Sequence, residues 1–273
     1  MAARRLFDTL ASRTTRPKNS IGSKYVSTGG QMKLSNVNYA EVKCKICNHD
    51  TSIWGCVDFN KSCEERNGTY LPYTGVAIYY LKCNHCEYLF SPDFDFWSKD
   101  EFKELIYNDD YIVVDPEYNG QRSINDAQYF LNRLQIKKDI SILDYGAGPA
   151  VLGQELAKHG YQVDSWDPMW GTDPTWDKDK KFDLIMAWEV LEHTPTPHET
   201  VAEMHSWLAP GGAILLATCS TGIMQGRRDP TFWYLSPRNG HVCMYSDRSL
   251  DLLFSKYGMK VQHDPWNIHL ATY

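Results

Sequence analysis

Ile140 to Tyr145 is a short apolar run that ends in the turn Asp144-Tyr-Gly146-Ala-Gly148, and it opens a regular alternation of strand-like and helix-like segments that continues to Tyr273. An apolar run of this length closed by glycines reads as a strand buried on both faces, as in a parallel sheet. Pro149 suits a first helical position. Val151, Leu152 and Leu156 give the following helix one apolar face, and Gly160 stops it. Further strands are predicted over Tyr161 to Trp166, Phe182 to Trp188 and Gly212 to Cys219. Thr196-Pro197-His198-Glu199 has the spacing of a capping box, and Val201, Met204 and Leu208 supply the buried stripe behind it. Ser246 can cap a helix that turns Leu250, Leu253 and Phe254 inward and ends at Gly258. Met259 to His263 and Ile268 to Tyr273 make a final antiparallel pair. Strands alternating with helices imply a mostly parallel, doubly wound α/β sheet covered on both faces.

Three stretches precede this region. Residues 1–38 form a polar tail without periodicity, and residues 1–33 hold seven Lys or Arg against the single acid Asp8. The tail reads as a disordered segment or an extension ahead of an internal start at Met32, in preference to an organelle transit peptide. Residues 39–92 hold two cysteine pairs and short β-prone runs, notably Val76 to Leu81. Residues 93–138 connect the two parts as lid helices, with aromatic and acidic residues around Tyr107-Asn-Asp-Asp-Tyr111 and a helix over about Asn125 to Lys137. Residues 139–273 are the catalytic candidate. No apolar stretch is long enough for a membrane span, and no apolar segment follows the early arginines as in a signal peptide. A cytoplasmic protein without a membrane partner is expected. The net charge of −6 disfavours a general nucleic-acid binder.

Of eight cysteines, four form Cys44-Lys-Ile-Cys47 and Cys83-Asn-His-Cys86. Each pair can form a knuckle offering two thiolates on one side, and two knuckles complete a tetrahedral S4 site suited to structural Zn2+. Four reduced buried cysteines, or a redox pair, are the alternatives. The 35 residues between the pairs exceed the loop of a compact zinc ribbon, so they form an excursion of their own. Cys56, Cys63 and His85 are less suited as ligands, and Cys219 and Cys243 read as packing residues.

The turn after the first strand is not a dinucleotide fingerprint, because Val151 stands where G-x-G-x-x-G requires glycine. A carboxylate at Asp144 suits a ligand with a cationic end. Asp167, at the end of the second strand, can accept hydrogen bonds from both ribose hydroxyls. Together these describe a nucleoside with an amino group and no phosphate chain. Here the sequence resembles the class I S-adenosylmethionine methyltransferases. Ser141-Ile-Leu-Asp-Tyr-Gly-Ala-Gly148, Val163-Asp-Ser-Trp-Asp167-Pro, Phe182-Asp-Leu-Ile-Met-Ala-Trp-Glu-Val-Leu-Glu-His193 and Leu208-Ala-Pro-Gly-Gly-Ala-Ile-Leu-Leu216 look like four of their motifs, in order.

The resemblance implies a Rossmann-like sheet of seven strands, S-adenosylmethionine as donor, and cofactor contacts from Asp144, Tyr145, Gly146, Ala147, Gly148, Asp167, Pro168, Trp188 and Glu189. There are two departures. Ala150 replaces a common third glycine, and the third strand is hard to find because residues 169–181 are polar and broken by Pro174. The acid near the adenine would be Asp173 or Asp177. A small zinc-ribbon-like module ahead of this fold resembles methyltransferases of bacterial natural-product, deoxysugar and surface-polysaccharide pathways.

Methyl transfer from a sulfonium is an in-line displacement governed by positioning, and an O- or C-acceptor also needs a base. His193 and His241 are the catalytic candidates. His241 lies in Pro237-Arg-Asn-Gly-His-Val-Cys-Met-Tyr245, which with Phe232, Trp233 and Tyr234 looks like an acceptor wall. Glu189, Glu192 and His193 are spaced to share a helix face. They resemble residues with which ubiquinone-synthesis and small-RNA methyltransferases hold a divalent metal, with His241 as a further ligand. The region Tyr107 to Arg122 is expected to fold over the cofactor, with Tyr111 and Arg122 reaching its carboxylate or the acceptor, or else to be a plain surface helix and loop. The leading function is methylation of a small-molecule acceptor, a sugar or related metabolite, at O, N or C. An RNA or tRNA methyltransferase using the zinc module as a clamp, and a non-catalytic cofactor-binding protein, are the alternatives.

Overall fold

A computed structural model describes residues 37–273, apart from 135, 171–173, 175 and 178, and these residues belong to one compact unit. The expectation for the N-terminal tail lies almost wholly outside them. The chain runs through β1 (Thr51–Asp58), β2 (Ala77–Cys83), β3 (Leu89–Phe90), α1 (Lys99–Leu105), α2 (Tyr111–Val114) and α3 (Gln121–Arg133). It continues with β4 (Ser141–Tyr145), α4 (Val151–Lys158), β5 (Gln162–Trp166), β6 (Phe182–Trp188), α5 (Pro197–Trp207), β7 (Leu208–Ala217), β8 (Cys243–Met244), α6 (Asp247–Ser255), β9 (Lys260–His263) and β10 (Ile268–Thr272).

The larger sheet has the order β5-β4-β6-β7-β10-β9. Its first four strands are parallel, and β10 runs antiparallel to both β7 and β9. The expected seven strands are therefore six among the described residues. The missing one would come from residues 169–181, whose polar, proline-broken sequence offers no buried strand face. In the described structure β5 is consequently an edge strand, only partly buried, while β4 and β6 are almost continuously buried. The core beneath β4 and β6 is built by Ala127, Phe130, Ile142, Leu152, Leu156, Leu184, Met186 and Leu215. No helix among the described residues is long and apolar enough to cross a membrane.

Several boundaries differ from the sequence expectation for local reasons. Helix α3 starts four residues early, because Gly120 at φ 108° turns the chain into it, and it stops where Leu134 goes extended. Helix α4 begins at Val151 rather than Pro149, with Ala150 in the left-handed region at its N-cap. The capping box expected at Thr196 does not form: its side chain makes no cap, and Thr200 Oγ1 donates back to the Thr196 carbonyl at 3.1 Å. The cap at Ser246 does form, reciprocally with Ser249.

The smaller sheet, β1-β2-β3-β8, is wholly antiparallel. Its last strand comes from the catalytic half, Leu89 and Phe90 pairing with Met244 and Cys243. Residues 39–92 thus share a sheet with the chain 150 residues downstream.

Candidate active site

The turn after β4 is set by three left-handed residues, Gly146 (φ 75°), Gly148 (φ 49°) and Ala150 (φ 60°). Gly146 and Ala147 both donate to the carbonyl of Trp166, at 2.8 and 3.1 Å, tying the turn to the end of β5. A Cβ on Gly146 would lie 2.5 Å from Val190 Cγ2, whereas one on Gly148 would meet nothing within 4 Å. The first glycine permits close packing of the chain on itself, and the second leaves room above the turn. One residue past β5, Asp167 Oδ2 accepts from Gly148 N at 2.8 Å, and Oδ1 accepts from Met169 N and Trp170 N at 2.7 and 3.2 Å. Its carboxylate is held at the rim by backbone donors on three sides.

Asp144 sits beneath the turn. It accepts from Gly153 N at 3.2 Å and from Ser165, and burial pushes its carboxyl up to about 7. A Cβ on Gly153 would collide with Ser165 Oγ, so this glycine lets α4 approach β5.

The expected donor-binding residues, Asp144 through Gly148 with Asp167, Pro168, Trp188 and Glu189, all line one cavity of about 620 Å3. The structure brings the region Tyr107 to Arg122 to the cavity as expected and adds side chains the sequence reading did not single out. Trp97, Phe102, Tyr107, Asp115 and Tyr118 close one side, and Asp126 of α3 faces Trp188, from which it accepts a hydrogen bond. Burial pushes Asp126 up to about 6. Tyr145 Oη donates to Glu203 Oε2 at 2.6 Å from the first turns of α5. The repeated acids and aromatics in 93–138 were the only sequence signal for these walls. Tyr111 and Arg122 line the cavity as expected, but each is already engaged. Arg122 forms a bidentate pair with Asp115, and Tyr111 Oη donates to Asn239 O at 3.2 Å. Asp177 does not line the cavity, and Asp173 lies outside the described residues.

His193 stands on the cavity wall, and His241 does not. His241 is buried behind it, the two rings 4.8 Å apart, with Nδ1 donating to Tyr234 O at 2.7 Å. Of the expected acceptor wall, Tyr234 to Tyr245 is likewise interior, with Tyr234 and Tyr245 fully buried core side chains, while Phe232 and Trp233 are half-buried and do not line the cavity. His193 Nδ1 lies 3.1 Å from Gly240 O and 3.0 Å from Tyr107 Oη. A carbonyl only accepts, so Nδ1 carries the hydrogen and Nε2 is the basic atom. Burial lowers the His193 pKa, opposed by the Glu192 carboxylate.

The helix face expected for Glu189, Glu192 and His193 is absent. Glu189 has φ 52°, and Leu191–His193 is a 3-10 turn. Glu192, His193 and His241 nevertheless converge, with ligand atoms within 4.8 Å of one another. Glu192 is fully buried and accepts from Tyr234 Oη at 2.5 Å and Thr218 Oγ1 at 2.9 Å.

The four paired cysteines meet as the spacing predicts, all Sγ atoms within 4.8 Å, with Cys44–Cys86 and Cys47–Cys83 each at 3.5 Å. A disulfide would need about 2.05 Å, whereas an S4 tetrahedron with 2.3 Å metal bonds has edges of about 3.8 Å. Ile46 N donates to Cys44 Sγ, and His85 N and Cys86 N donate to Cys83 Sγ, all at 3.4 Å. Asn48 and Glu87, each just after a pair, are left-handed at φ 59° and 63°. The two knuckles repeat one backbone geometry, and His49 and His85 stack beside them at 4.0 Å.

No curated protein sequence matches the chain. Among solved structures, it resembles a putative O-methyltransferase from Nostoc punctiforme (13% identity, 59% of this chain and 58% of that one, TM-score 0.41). It also resembles an O-methyltransferase family protein from Burkholderia thailandensis (11%, 63% and 58%, 0.42). A third is the magnesium protoporphyrin IX methyltransferase from Synechocystis with bound SAH (15%, 57% and 83%, 0.39). The chain thus spans less than two thirds of the length of the first two. The methyltransferase domain family matches residues 118–264, more than half of the chain and the whole donor-side turn, and the chain belongs to that family.

Proposed function

We propose that the chain is an S-adenosylmethionine-dependent methyltransferase acting on a small-molecule acceptor, a sugar or related metabolite. The observation that carries this reading is Asp167, fixed by three backbone amides at the rim of the cavity beside the open space over Gly148. A carboxylate so held keeps an open acceptor position on Oδ2 for a ribose hydroxyl, and a bare glycine beside it admits a nucleoside. Bound S-adenosylmethionine would supply a methyl group on an electrophilic sulfur.

The chain's own residues would do the rest. The turn from Tyr145 to Gly148 would hold the donor's backbone-facing side, and Trp188 and Trp170 would exclude water from the cavity. His193 would take the acceptor's proton at Nε2, its ring held by Gly240 and Tyr107. Acids and aromatic rings share the remaining wall, among them Glu117, Asp126, Tyr118 and Trp97. Carboxylates accept from hydroxyls and rings cover apolar faces, which favours a polyhydroxylated acceptor. Cys44, Cys47, Cys83 and Cys86 would hold a structural Zn2+ between the segment ahead of β1 and the turn after β2. The reduced cysteines are in keeping with the cytoplasm.

A second reading of the same wall rests on the convergence of Glu192, His193 and His241. Both histidines turn Nδ1 to a backbone carbonyl, at Gly240 and Tyr234, and so leave Nε2 free. Those three residues would then hold a divalent cation behind the wall, reaching the cavity only beside His193.

Methyl transfer from labelled S-adenosylmethionine to a panel of sugars and nucleotide sugars tests the proposal. Turnover on at least one is expected, and donor binding with no transfer to any small molecule would contradict it. Activity that survives a chelator too weak to strip a tetrathiolate zinc would remove the cation reading and leave His193 as base.

A further inference from the structure

The β9–β10 hairpin carries a histidine pair that the methyl-transfer reading does not use. His263 and His269 are cross-strand partners, and their Nδ1 atoms lie 2.8 Å apart. His269 is 1% exposed, and its Nε2 lies 3.2 Å from Thr218 O. A carbonyl only accepts, so that nitrogen carries the ring's hydrogen and the neutral ring presents a lone pair at Nδ1. On the other ring, His263 Nε2 lies 3.2 Å from Asp251 Oδ1, which fixes the hydrogen there. The two Nδ1 lone pairs then point at each other, an arrangement that needs a positive charge between them. One helical turn from Asp251 on α6, Asp247 Oδ1 lies 3.8 Å from His263 Nδ1. The ligand atoms of Asp247, His263 and His269 lie within 4.8 Å of one another.

We propose that Asp247, His263 and His269 form a second metal site, which takes a divalent transition ion such as Zn2+ through the two Nδ1 atoms and one carboxylate oxygen, with water in the fourth position. Nitrogen and oxygen ligands in this ratio suit that class of ion. The outer partners support it. Metal-bound histidines characteristically donate their other N–H to a carboxylate or a backbone carbonyl, and Asp251 and Thr218 O stand in those two places. Access is open, since the side chain of Asp247 is half exposed and that of His263 is one-fifth exposed. None of these residues lines the central cavity. The ion would clamp the hairpin to the start of α6 and so brace the end of β7. The inference does not depend on the donor, the acceptor or the cysteine cluster.

The test is metal content of the full chain after loading with Zn2+ and desalting, compared with Asp247→Asn and His263→Gln. Each variant is checked by circular dichroism for a native fold. Wild type is expected to retain one more ion per chain than either variant, whatever the thiolates hold. Co2+-loaded samples separate the sites, because only thiolate ligands give sulfur-to-metal charge transfer, and that band should be unchanged in the variants. Equal metal content in wild type and both folded variants would overturn the proposal. So would a nitrogen-15 spectrum in which His263 is a doubly protonated imidazolium, bridging to His269, before and after Zn2+ is added.

Discussion

The two walls of the cavity are built in different ways. The donor wall is mostly backbone: left-handed residues at Gly146, Gly148 and Ala150, amides tied to Trp166 O, and amides fixing Asp167. The wall proposed for the acceptor is mostly side chain, drawn from Trp97 and Phe102, the segment Tyr107 to Arg122, His193 and the first turns of α5. A backbone site constrains residue types at fixed spacing, so it leaves a mark on the sequence. A wall assembled from side chains of distant segments leaves only a compositional trace, because many residues can occupy each position once the fold holds it.

If the walls are functionally separate, changes to one should leave the other's measurement alone. The largest effect is expected for His193→Ala, which should lower kcat by about 10²–10⁴ with the donor Kd changed by less than about twofold. A matching loss of donor affinity would show that the walls are not separate.

Next comes Asp144, in the donor wall. Burial raises its carboxyl to about 7, above the usual unfolded value of about 3.9. The folded state therefore holds this proton more tightly. Its stabilising contribution is full below the unfolded value and is lost as pH rises through about 7. In Asp144→Asn that loss disappears, so the fall in unfolding free energy between pH 5 and 8 should shrink, by an amount on the order of 1–3 kcal/mol. An unchanged pH slope would contradict the buried-acid account.

Smaller again is Tyr107→Phe, which removes the phenol beside His193 Nδ1 and should cost about tenfold in kcat, with an unchanged fold by circular dichroism. The smallest effect is expected for Ala150→Gly. The native residue is left-handed, where a Cβ costs about 1 kcal/mol. The variant should melt slightly higher, and a lower melting point would mean that Ala150 is packed rather than strained.

The strands that carry the donor wall were the most legible part of the fold. Phe182 to Trp188 has the boundaries its apolar run predicts, and β4 and β5 differ by one residue; continuous burial makes β4 and β6 conspicuous, whereas the partly buried β5 is marked by the Gly160 stop ahead of it. The cysteine knuckles were legible for the same reason of fixed spacing. Strand β8 was not, since two residues, Cys243 and Met244, carry no periodicity and pair only through tertiary contact. The aromatic segment around Tyr234 looked like a binding surface and is core, with Tyr234 tied to Glu192 and Tyr80 Oη donating to His241 O at 2.7 Å. Aromatic richness does not distinguish a wall from an interior. His241 went with it, drawn away from the cavity by its bond to Tyr234 O.

The central claim is that the turn from Asp144 to Gly148 together with Asp167 binds a nucleoside donor. Calorimetric titration of wild type and Asp167→Ala with S-adenosylhomocysteine tests it most directly. The account predicts saturable binding to wild type, weakened by about tenfold or more in the variant, since a charge-assisted hydrogen bond to a hydroxyl is worth about 1.5–3 kcal/mol. No binding to wild type, or equal binding to both proteins, would contradict it.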